Sequence, residues 1–300
     1  TVARIEAGGG KAKAVRADLS SAKQAEALVG KCRAPGVTLT CLVNSASLFK
    51  LDRALTAGAD LFDRHMAVNL RAPMLLAQAL ARQLPEKETG LIVNLLDQKL
   101  FNLNPDFLTY TLSKIGLQGL TTLLAQAFAP RLRVAGIAPG LTLRSGSQTD
   151  ARFAEQHTQN PLGVGVTTED LVRALRFIVA TPTFTGDTLI VDSGEHLTGR
   201  PRDIATSRAW ARAIDTRIAF CWPVDPSAAG RSKSRCLTAR SLRCGPTDVV
   251  PDSASRKRVA ASPALSRSSA SRAAMVAIQP STSPVIASAV SVSVKVMPSR

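Results

Sequence analysis

A tyrosine and a lysine four residues apart, with an aspartate thirteen residues before the tyrosine, are the residues of this sequence best suited to chemistry. On a helix, Tyr110 and Lys114 lie on one face, one turn apart. An ammonium group beside a phenol stabilises the phenolate, so this spacing predicts a lowered pKa for the tyrosine. Asp97 directly follows an apolar run at 91–96 that is typical of a buried parallel strand. A carboxylate there lies where open α/β sheets bind their ligands.

Predicted strands and helices alternate along the first 200 residues and would position these side chains. Because Asp97 follows a strand and Tyr110 and Lys114 lie on the next helix, we interpret the tyrosine and lysine as a catalytic pair rather than as residues of a surface helix with a half-buried tyrosine. The pattern predicts strands at 11–17, 39–44, 91–96, 131–137 and 188–191, and helices at 21–33, 61–84, 110–128 and 168–180. The Gly8-Gly9-Gly10 run is predicted to end a short helix, since no strand precedes it. The polar stretch at 141–166 predicts a structureless substrate lid.

Several motifs, taken together, resemble the short-chain dehydrogenase/reductase family over residues 1–200. They are the strand end at 42–47, Val68-Asn69-Leu70, the Tyr110/Lys114 pair, Ala138-Pro139-Gly140 and Val191-Asp192-Ser193-Gly194. Most members of the family have a serine where this chain has Asp97. That aspartate, together with Ser45-Ala46-Ser47-Leu48-Phe49 after the fourth strand, resembles the branch of pteridine reductases and dihydromonapterin reductases.

The resemblance implies an α/β fold, a Rossmann-like doubly wound parallel sheet with strand order 3-2-1-4-5-6-7. The chain begins after the family's second strand, so we expect a fragment that lacks the first two strands and the Gly-rich cofactor loop. The sheet would then contain strands 4 to 7, with an unpaired edge at 39–44 and the 11–17 strand loose or placed beside that edge. Impaired cofactor affinity and doubtful activity would follow.

The resemblance also implies roles for individual residues. Tyr110 would supply a proton, Lys114 would lower its pKa and hold the nicotinamide ribose, Asn69 would organise a water relay, and Asp97 would complete the catalytic set. The implied cofactor contacts are Asp18, Asn44, Ser45, Ala46, Ser47, Tyr110, Lys114, Pro139, Gly140, Leu141 and Thr142. The implied substrate contacts are Ser47, Phe49, Asp97 and Tyr110. Two alternatives stay open, a helix N-cap for Asp18 and core packing for Phe49.

The residue at position 97 decides which substrate is predicted. An ionised aspartate repels a developing oxyanion but accepts hydrogen bonds from a substrate with N–H donors, as a pterin ring has. The predicted reaction is therefore hydride transfer to a pterin C=N bond. The resemblance implies NADPH rather than NAD as the hydride donor, although the strand that decides this choice in the family is absent. A reductase of keto or acyl substrates is the alternative. The family resemblance further implies a homotetramer, assembled partly through the helices at 61–84 and 111–128.

The composition narrows the remaining classes of function. Five cysteines without Cys-x-x-Cys or Cys/His spacing predict neither a zinc site nor a disulfide framework, and His65, His157 and His196 are predicted at a helix surface and in loops. We expect no metal. Without a membrane span or signal peptide, the sequence predicts a cytoplasmic protein with no membrane partner.

The basic charge is concentrated in the last hundred residues. Residues 201–300 hold 16 of the 38 Lys and Arg residues but only 5 of the 22 Asp and Glu residues. This segment is rich in Ala, Ser, Arg, Pro and Val and lacks periodicity, which predicts a low-complexity tail that is disordered or non-native, next to a reductase domain at 1–200. An inactive protein that binds nucleic acid through this tail is the alternative from another class; we do not favour it, because aromatic residues do not interleave with the basic ones.

Overall fold

The computed structural model describes residues 2–35, 37–144, 148–206, 273–279 and 289–293. Most of the predicted basic tail, and with it the nucleic-acid alternative, lies outside the described residues. Within the described part, no helix is long and apolar enough to cross a membrane.

Helices and strands alternate along the described chain. The helices are α1 (Val2–Ala7), α2 (Ala22–Lys31), α3 (Ala59–Met66), α4 (Ala72–Gln83), α5 (Leu108–Phe128), α6 (Asp150–His157) and α7 (Thr168–Ala180). The strands are β1 (Lys11–Ala17), β2 (Cys41–Asn44), β3 (Gly90–Leu95), β4 (Leu132–Pro139), β5 (Thr188–Val191), β6 (Ala273–Gln279) and β7 (Ala289–Ser293). Short 3₁₀ turns lie at Gln98–Phe101 and Glu195–Thr198, and a π turn lies at Ala67–Arg71.

Helix α6 lies in the stretch that was predicted to be structureless. Thr149 caps it, because the Thr149 hydroxyl accepts a hydrogen bond from the Arg152 amide at 3.3 Å. The helix was missed because eight residues, mostly polar, are too few to establish a helical period. The predicted lid is therefore helical in part.

The strands form one mainly parallel sheet, which confirms the predicted Rossmann-like α/β class. In the described residues its order is β1-β6-β7-β2-β3-β4-β5. Strands β7, β2, β3, β4 and β5 are parallel neighbours, and β6 runs antiparallel to β1 and β7. The parallel register aligns the carboxyl ends of β2, β3 and β4, with Asn44 opposite Asn94 and Asn94 opposite Gly136.

The predicted fate of β1 and of the β2 edge is wrong. Strand β1 was expected to be loose or to lie beside β2, and β2 was expected to have an unpaired edge. Instead β6 and β7 lie between them: β1 pairs with β6, and β2 pairs with β7. The physical reason is that the backbone N–H and C=O groups of a strand need partners, and the Ala- and Val-rich segments 273–279 and 289–293 provide them.

Apolar side chains cover both faces of the sheet. Leu42 and Ile92 face the core formed with α2 and α4, whereas Val43 and Val93 face the core that includes Ile178 of α7. Successive residues of a strand point to opposite faces, so each central strand contributes to both cores. Because β2, β3 and β4 are buried on both faces, they are held rigidly and fix the positions of the residues that follow them.

The long helix predicted at 61–84 is interrupted at Asn69, which lies within the π turn between α3 and α4. Pro73 has no backbone N–H to donate to the carbonyl of Asn69, so the regular hydrogen-bond pattern cannot continue there. The next available donor, the amide of Ala72, bonds the carbonyl of Ala67 five residues back. The interruption leaves the Asn69 side chain almost completely buried.

His65 was predicted at a helix surface, and this prediction is wrong. The side chain is fully buried where α3 packs on α5, and its Nδ1 lies 2.7 Å from the hydroxyl of Thr109. That hydroxyl donates in turn to the carboxylate of Asp52, so it accepts from His65, whose proton is therefore on Nδ1. Burial lowers the pKa of His65 to about 4.

We predict that the buried imidazole makes the fold sensitive to mild acid. The pKa is about 4 in the folded chain and 6.5 for an ordinary histidine, so stability is present above pH 6.5 and is lost as the pH falls toward 4. At 1.36 kcal/mol per unit, the free energy of unfolding should drop by about 2 kcal/mol between pH 7 and pH 5. Urea unfolding at the two pH values measures the drop, and His65→Gln should remove this part of it. Equal drops in both proteins would contradict the prediction.

Candidate active site

A cleft of about 490 Å³ opens at the carboxyl ends of β2, β3 and β4. Ends of neighbouring parallel strands meet at one edge of the sheet, which brings residues distant in sequence together. Of the residues predicted to bind cofactor or substrate, those that line the cleft are Ser45, Ser47, Phe49, Asp97, Tyr110, Lys114, Pro139, Gly140, Leu141 and Thr142.

Asp97 and Tyr110 are joined directly. The Tyr110 hydroxyl donates a hydrogen bond of 2.6 Å to Oδ2 of Asp97, and Oδ1 accepts one of 2.9 Å from the amide of Lys99. Asp97 follows β3 and caps the 3₁₀ turn, while Tyr110 lies in the first turn of α5. Burial raises the pKa of Asp97, and the hydrogen bond from Tyr110 opposes this.

The predicted lowering of the Tyr110 pKa is wrong. Burial and the neighbouring Asp97 raise that pKa well above 10, because both disfavour a second negative charge at this position. Lys114 does not hydrogen-bond the hydroxyl: its ammonium donates to the carbonyl of Leu95 at 2.6 Å and lies 5.8 Å from the centre of the Tyr110 ring. Tyr110 therefore keeps its proton at neutral pH.

Burial lowers the pKa of Lys114, whereas it raises the pKa of Tyr110. The Lys114 side chain is 3% exposed, and burial lowers its pKa to about 8, while the charge of Asp97 raises it. Because the Asp97 carboxyl and the Lys114 amine are buried near each other, each stabilises the charged form of the other. The ammonium form of Lys114 is therefore only narrowly favoured at neutral pH.

Asn69 fixes the loop that follows β2. Its Oδ1 accepts from the amide of Leu48 at 2.7 Å and from the hydroxyl of Ser47 at 3.3 Å. Its Nδ2 donates to the carbonyl of Leu48 and to the hydroxyl of Ser113, both at 2.9 Å. The buried amide of Asn69 thus ties the loop after β2 to α5. The predicted role of Asn69 in a water relay stays a prediction.

Asn44, Ala46 and Asp18 are not among the residues that line the cleft. The Asn44 amide donates to Asn94 at 2.8 Å inside the sheet, and Ala46 is buried. Asp18 accepts from the amide and hydroxyl of Ser20, at 2.9 and 2.7 Å, in the turn before α2, whose N-cap is Ser21. The N-cap of α2 is therefore Ser21 and not Asp18, so the alternative role of Asp18 as the helix N-cap is wrong. Its predicted contact with a cofactor stays a prediction.

Phe49 packs on neighbouring aromatic rings and also faces the cleft, and its stacking on a substrate stays a prediction. Its ring stacks on Phe107 with 4.2 Å between ring centres and meets Tyr110 edge to face at 4.7 Å. It also lines the cleft and remains 37% exposed. Phe107 has a left-handed backbone with φ of 55°, an uncommon conformation for a residue with a side chain.

The Pro139–Gly140 turn is packed too closely for any residue larger than glycine. A Cβ atom at Gly140 would lie 2.9 Å from Asp192 and from the carboxylate of Glu195. That carboxylate accepts a hydrogen bond from the amide of Leu141 at 3.1 Å. Burial raises the pKa of Glu195. Sequence analysis missed Glu195, although its position just after β5 places it at the same edge of the sheet.

Lys99 and Asp203 form a second buried pair at the cleft, with 2.9 Å between the ammonium and Oδ2. Asp203 lines the cleft, but it belongs to the segment that was predicted as tail, and no sequence pattern links it to Lys99. The folded part extends at least to residue 206, beyond the predicted boundary at 200. No group of His, Cys, Asp and Glu suited to a metal ion occurs among the described residues.

The lining of the cleft combines polar side chains with a tight backbone turn. Tyr110 and Lys114 contribute hydrogen-bonding groups, and Pro139 and Gly140 form a close backbone turn. In the described residues, no Gly-rich turn leads from a strand into a helix. The Gly8–Gly10 turn ends α1, as predicted, with Gly10 donating to the carbonyl of Ile5 at 2.9 Å.

Comparisons with known proteins agree with this geometry. A family model described as Enoyl-(Acyl carrier protein) reductase matches residues 1–196. FolM alternative dihydrofolate reductase 1 from Brucella suis, solved in complex with NADP, is 40% identical, with a TM-score of 0.63 and coverage of 66% of this chain and 79% of that one. A short-chain dehydrogenase from Burkholderia cenocepacia with NADP is 28% identical, with a TM-score of 0.59 and coverage of 65% and 80%. A 3-oxoacyl-[acyl-carrier-protein] reductase from Synechocystis is 27% identical, covering 64% of this chain and 79% of its own length.

We predict that Lys114 titrates near pH 8 and that Asp97 controls this value. Because the charge of Asp97 raises the pKa of Lys114, the substitution Asp97→Asn should lower it further. NMR of lysine labelled at Cε would follow the titration, with Lys114→Arg to assign the resonance and Lys50 as an exposed lysine for reference. An unchanged Lys114 titration in Asp97→Asn would contradict the prediction.

Proposed function

Because the chain belongs to the short-chain dehydrogenase/reductase family of NAD(P)-dependent oxidoreductases, we propose that it reduces a C=N bond of a pterin with NADPH. The observation that carries this proposal is the carboxylate of Asp97 in the cleft, hydrogen-bonded to the only tyrosine of the chain. A carboxylate accepts hydrogen bonds from the N–H groups of a pterin ring, whereas it would repel the oxyanion that forms from a ketone.

Two further observations support a flat heterocyclic substrate. Phe49 lines the cleft beside Asp97 and Tyr110 and offers an aromatic surface for stacking. The Brucella suis protein that is 40% identical is described as an alternative dihydrofolate reductase. A dihydrofolate contains a pterin ring, so the relative and the geometry favour the same class of substrate.

In the proposed mechanism, bound NADPH would be the source of the hydride that reduces the carbon of the C=N bond. Tyr110, protonated at neutral pH, supplies the proton to the nitrogen, and Asp97 orients that hydroxyl while it accepts from the N–H groups of the substrate. Lys114 in its ammonium form stabilises the negative charge that remains on the Asp97–Tyr110 pair. The lost proton is then replaced from solvent.

Tyr110, Lys114 and residues 139–142 would hold the nicotinamide and its ribose, and Ser45 and Ser47 line the same cleft. The two related structures solved with NADP favour NADPH over NAD as the cofactor. Since the described residues offer no Gly-rich helix N-terminus to the pyrophosphate, we expect weak cofactor affinity. Assays of this chain therefore need NADPH at high concentration.

Reduction of a keto or acyl substrate is the second candidate. It is favoured by the Synechocystis relative, a 3-oxoacyl-[acyl-carrier-protein] reductase, and by the description of the matching family model. Asp97 argues against it, because the chemistry of ketone reduction calls for a neutral donor at that position. The residue type required at position 97 therefore distinguishes the two candidate reactions.

We also propose that the protein is a homotetramer assembled partly through α5. Leu112, Ile115 and Leu123 are 41%, 41% and 62% exposed, and with Gly119 they form one stripe along this helix. Exposed apolar side chains in such a row are typical of a contact between subunits.

The substrate proposal predicts that substitution of Asp97 changes the preference of the enzyme between pterin and keto substrates. NADPH oxidation by the full chain should be faster with a dihydropterin than with a 3-oxoacyl substrate, and Tyr110→Phe should reduce kcat about 100-fold or more. Asp97→Ser should lower kcat/KM for the pterin and raise it for the keto substrate. An unchanged ratio of the two kcat/KM values would overturn the assignment to pterins.

The assembly proposal predicts a smaller particle when the α5 stripe is charged. Leu112→Glu combined with Leu123→Glu should lower the mass measured by light scattering after gel filtration, because buried carboxylates at an interface are costly. Leu55→Glu, at a fully exposed position outside the stripe, is the matched control. A tetramer that survives the double substitution would exclude α5 as the interface.

A further inference from the structure

Lys99 is a buried lysine that the proposed reaction does not use. It is 2% exposed, and its ammonium donates to Oδ2 of Asp203 at 2.9 Å and to the side chain of Asn104. Asp203 is 104 residues away in sequence, and its side chain is 14% exposed at the wall of the cleft that also contains Asp97. A buried pair of this kind contributes little net stability, because desolvation offsets the attraction. Its position at the cleft therefore points to another role.

The segment that carries Asp203 is held by a different residue. Asp106, whose side chain is fully buried, accepts hydrogen bonds from the guanidinium group of Arg202, from the hydroxyl of Thr206 at 2.6 Å and from the backbone amide of Asp203 at 3.1 Å. Arg53 approaches the same carboxylate at 3.3 Å. These contacts hold the backbone at 202–206 independently of the ion pair between Asp203 and Lys99.

Helix α6 holds the same segment from the other side. Arg152 donates to the carbonyl of Ala205 at 2.7 Å, and Gln156 donates to the carbonyl of Ile204. The segment 202–206 thus joins α6 to the 97–106 loop. The Asp203 carboxylate is left to contact Lys99, the amide of Ala205 and the cleft.

We propose that Asp203 is a specificity-determining residue, a second carboxylate that recognises N–H groups of the substrate, and that Lys99 positions it. This inference rests on the proposed function and names how the cleft selects its substrate. Each carboxylate oxygen of Asp203 has one partner among the described residues, and each can accept a second hydrogen bond.

The aromatic residues of the cleft connect the two carboxylates. The Lys99 ammonium lies 5.7 Å from the centre of the Phe107 ring, and Phe107 stacks on Phe49. Phe49 in turn meets Tyr110, which bonds Asp97. A flat ring beside Phe49 with N–H donors on more than one edge would match this arrangement, as a 2-amino-4-oxopteridine does. A simple ketone would not.

Binding to the full chain tests the inference without relying on turnover. Quenching of pterin fluorescence gives the Kd for a 2-amino-4-oxopteridine and for its 2,4-dioxo analogue. Asp203→Asn should weaken binding of the amino compound about tenfold or more, the value of one charge-assisted hydrogen bond, and should weaken the dioxo analogue less. Lys99→Met should weaken the amino compound as well. Asp63→Asn, an exposed carboxylate on α3, is the matched control.

The outcomes separate this inference from the proposed function. If the unmodified chain binds neither pteridine, the pterin proposal fails. If it binds the amino compound and Asp203→Asn binds it equally well with an unchanged Tm, Asp203 is not a substrate contact although the pterin proposal stands. Equal losses for the two compounds also overturn the inference. Should Asp203→Asn not fold, Asp203→Ala removes the same acceptor, and an unchanged Kd in that variant is decisive in the same way.

Discussion

The hydrogen bond between Tyr110 and Asp97 is the constraint on which the site depends. Two buried acidic groups that share one proton at 2.6 Å must come from elements held rigidly, because a small shift would leave a carboxylate or hydroxyl unpaired in a dry environment. Strand β3 fixes one partner and the start of α5 fixes the other. The left-handed Phe107 allows α5 to begin at the required point, and its amide bonds the carbonyl of Asp52 at 3.1 Å.

Buried amide and hydroxyl groups hold the rest of the cleft to the same rigid parts. Asn69 ties the loop after β2 to α5, and it can do so because the π turn places its side chain in the interior. Asn94 links the sheet to α5 in the same manner, since it accepts from Asn44 and donates to Thr121. Each such group has lost its water and is paired with protein instead, so the positions of loop, sheet and helix depend on one another.

Burial shifts the pKa values of the titratable groups in the cleft. Burial raises the pKa values of Asp97, Tyr110 and Glu195 and lowers that of Lys114, so every one of these groups is shifted toward its neutral form. Opposite charges nearby, Asp97 for Lys114, limit the shift. Asp106, which is not among the residues that line the cleft, differs: burial acts to raise its pKa, but hydrogen bonds from Arg202, Thr206 and the Asp203 amide hold it at about 2. This suits a structural anchor rather than a group that exchanges protons. The carboxylate of Asp106 therefore anchors the structure, whereas the carboxylate of Asp97 belongs to the proposed reaction.

The sequence by itself determined the class of fold, most element boundaries and ten of the residues that line the cleft. These follow from local properties: apolar runs, caps, and polar residues at strand ends that parallel pairing brings together. It did not determine the burial of His65, the direction of the Tyr110 pKa shift, helix α6 or the partners of β1 and β2. Nor did it reveal the pairing of Lys99 with Asp203 across 104 residues. Only the tertiary structure decided these points, because burial, desolvation and strand pairing depend on which distant segments of the chain come into contact.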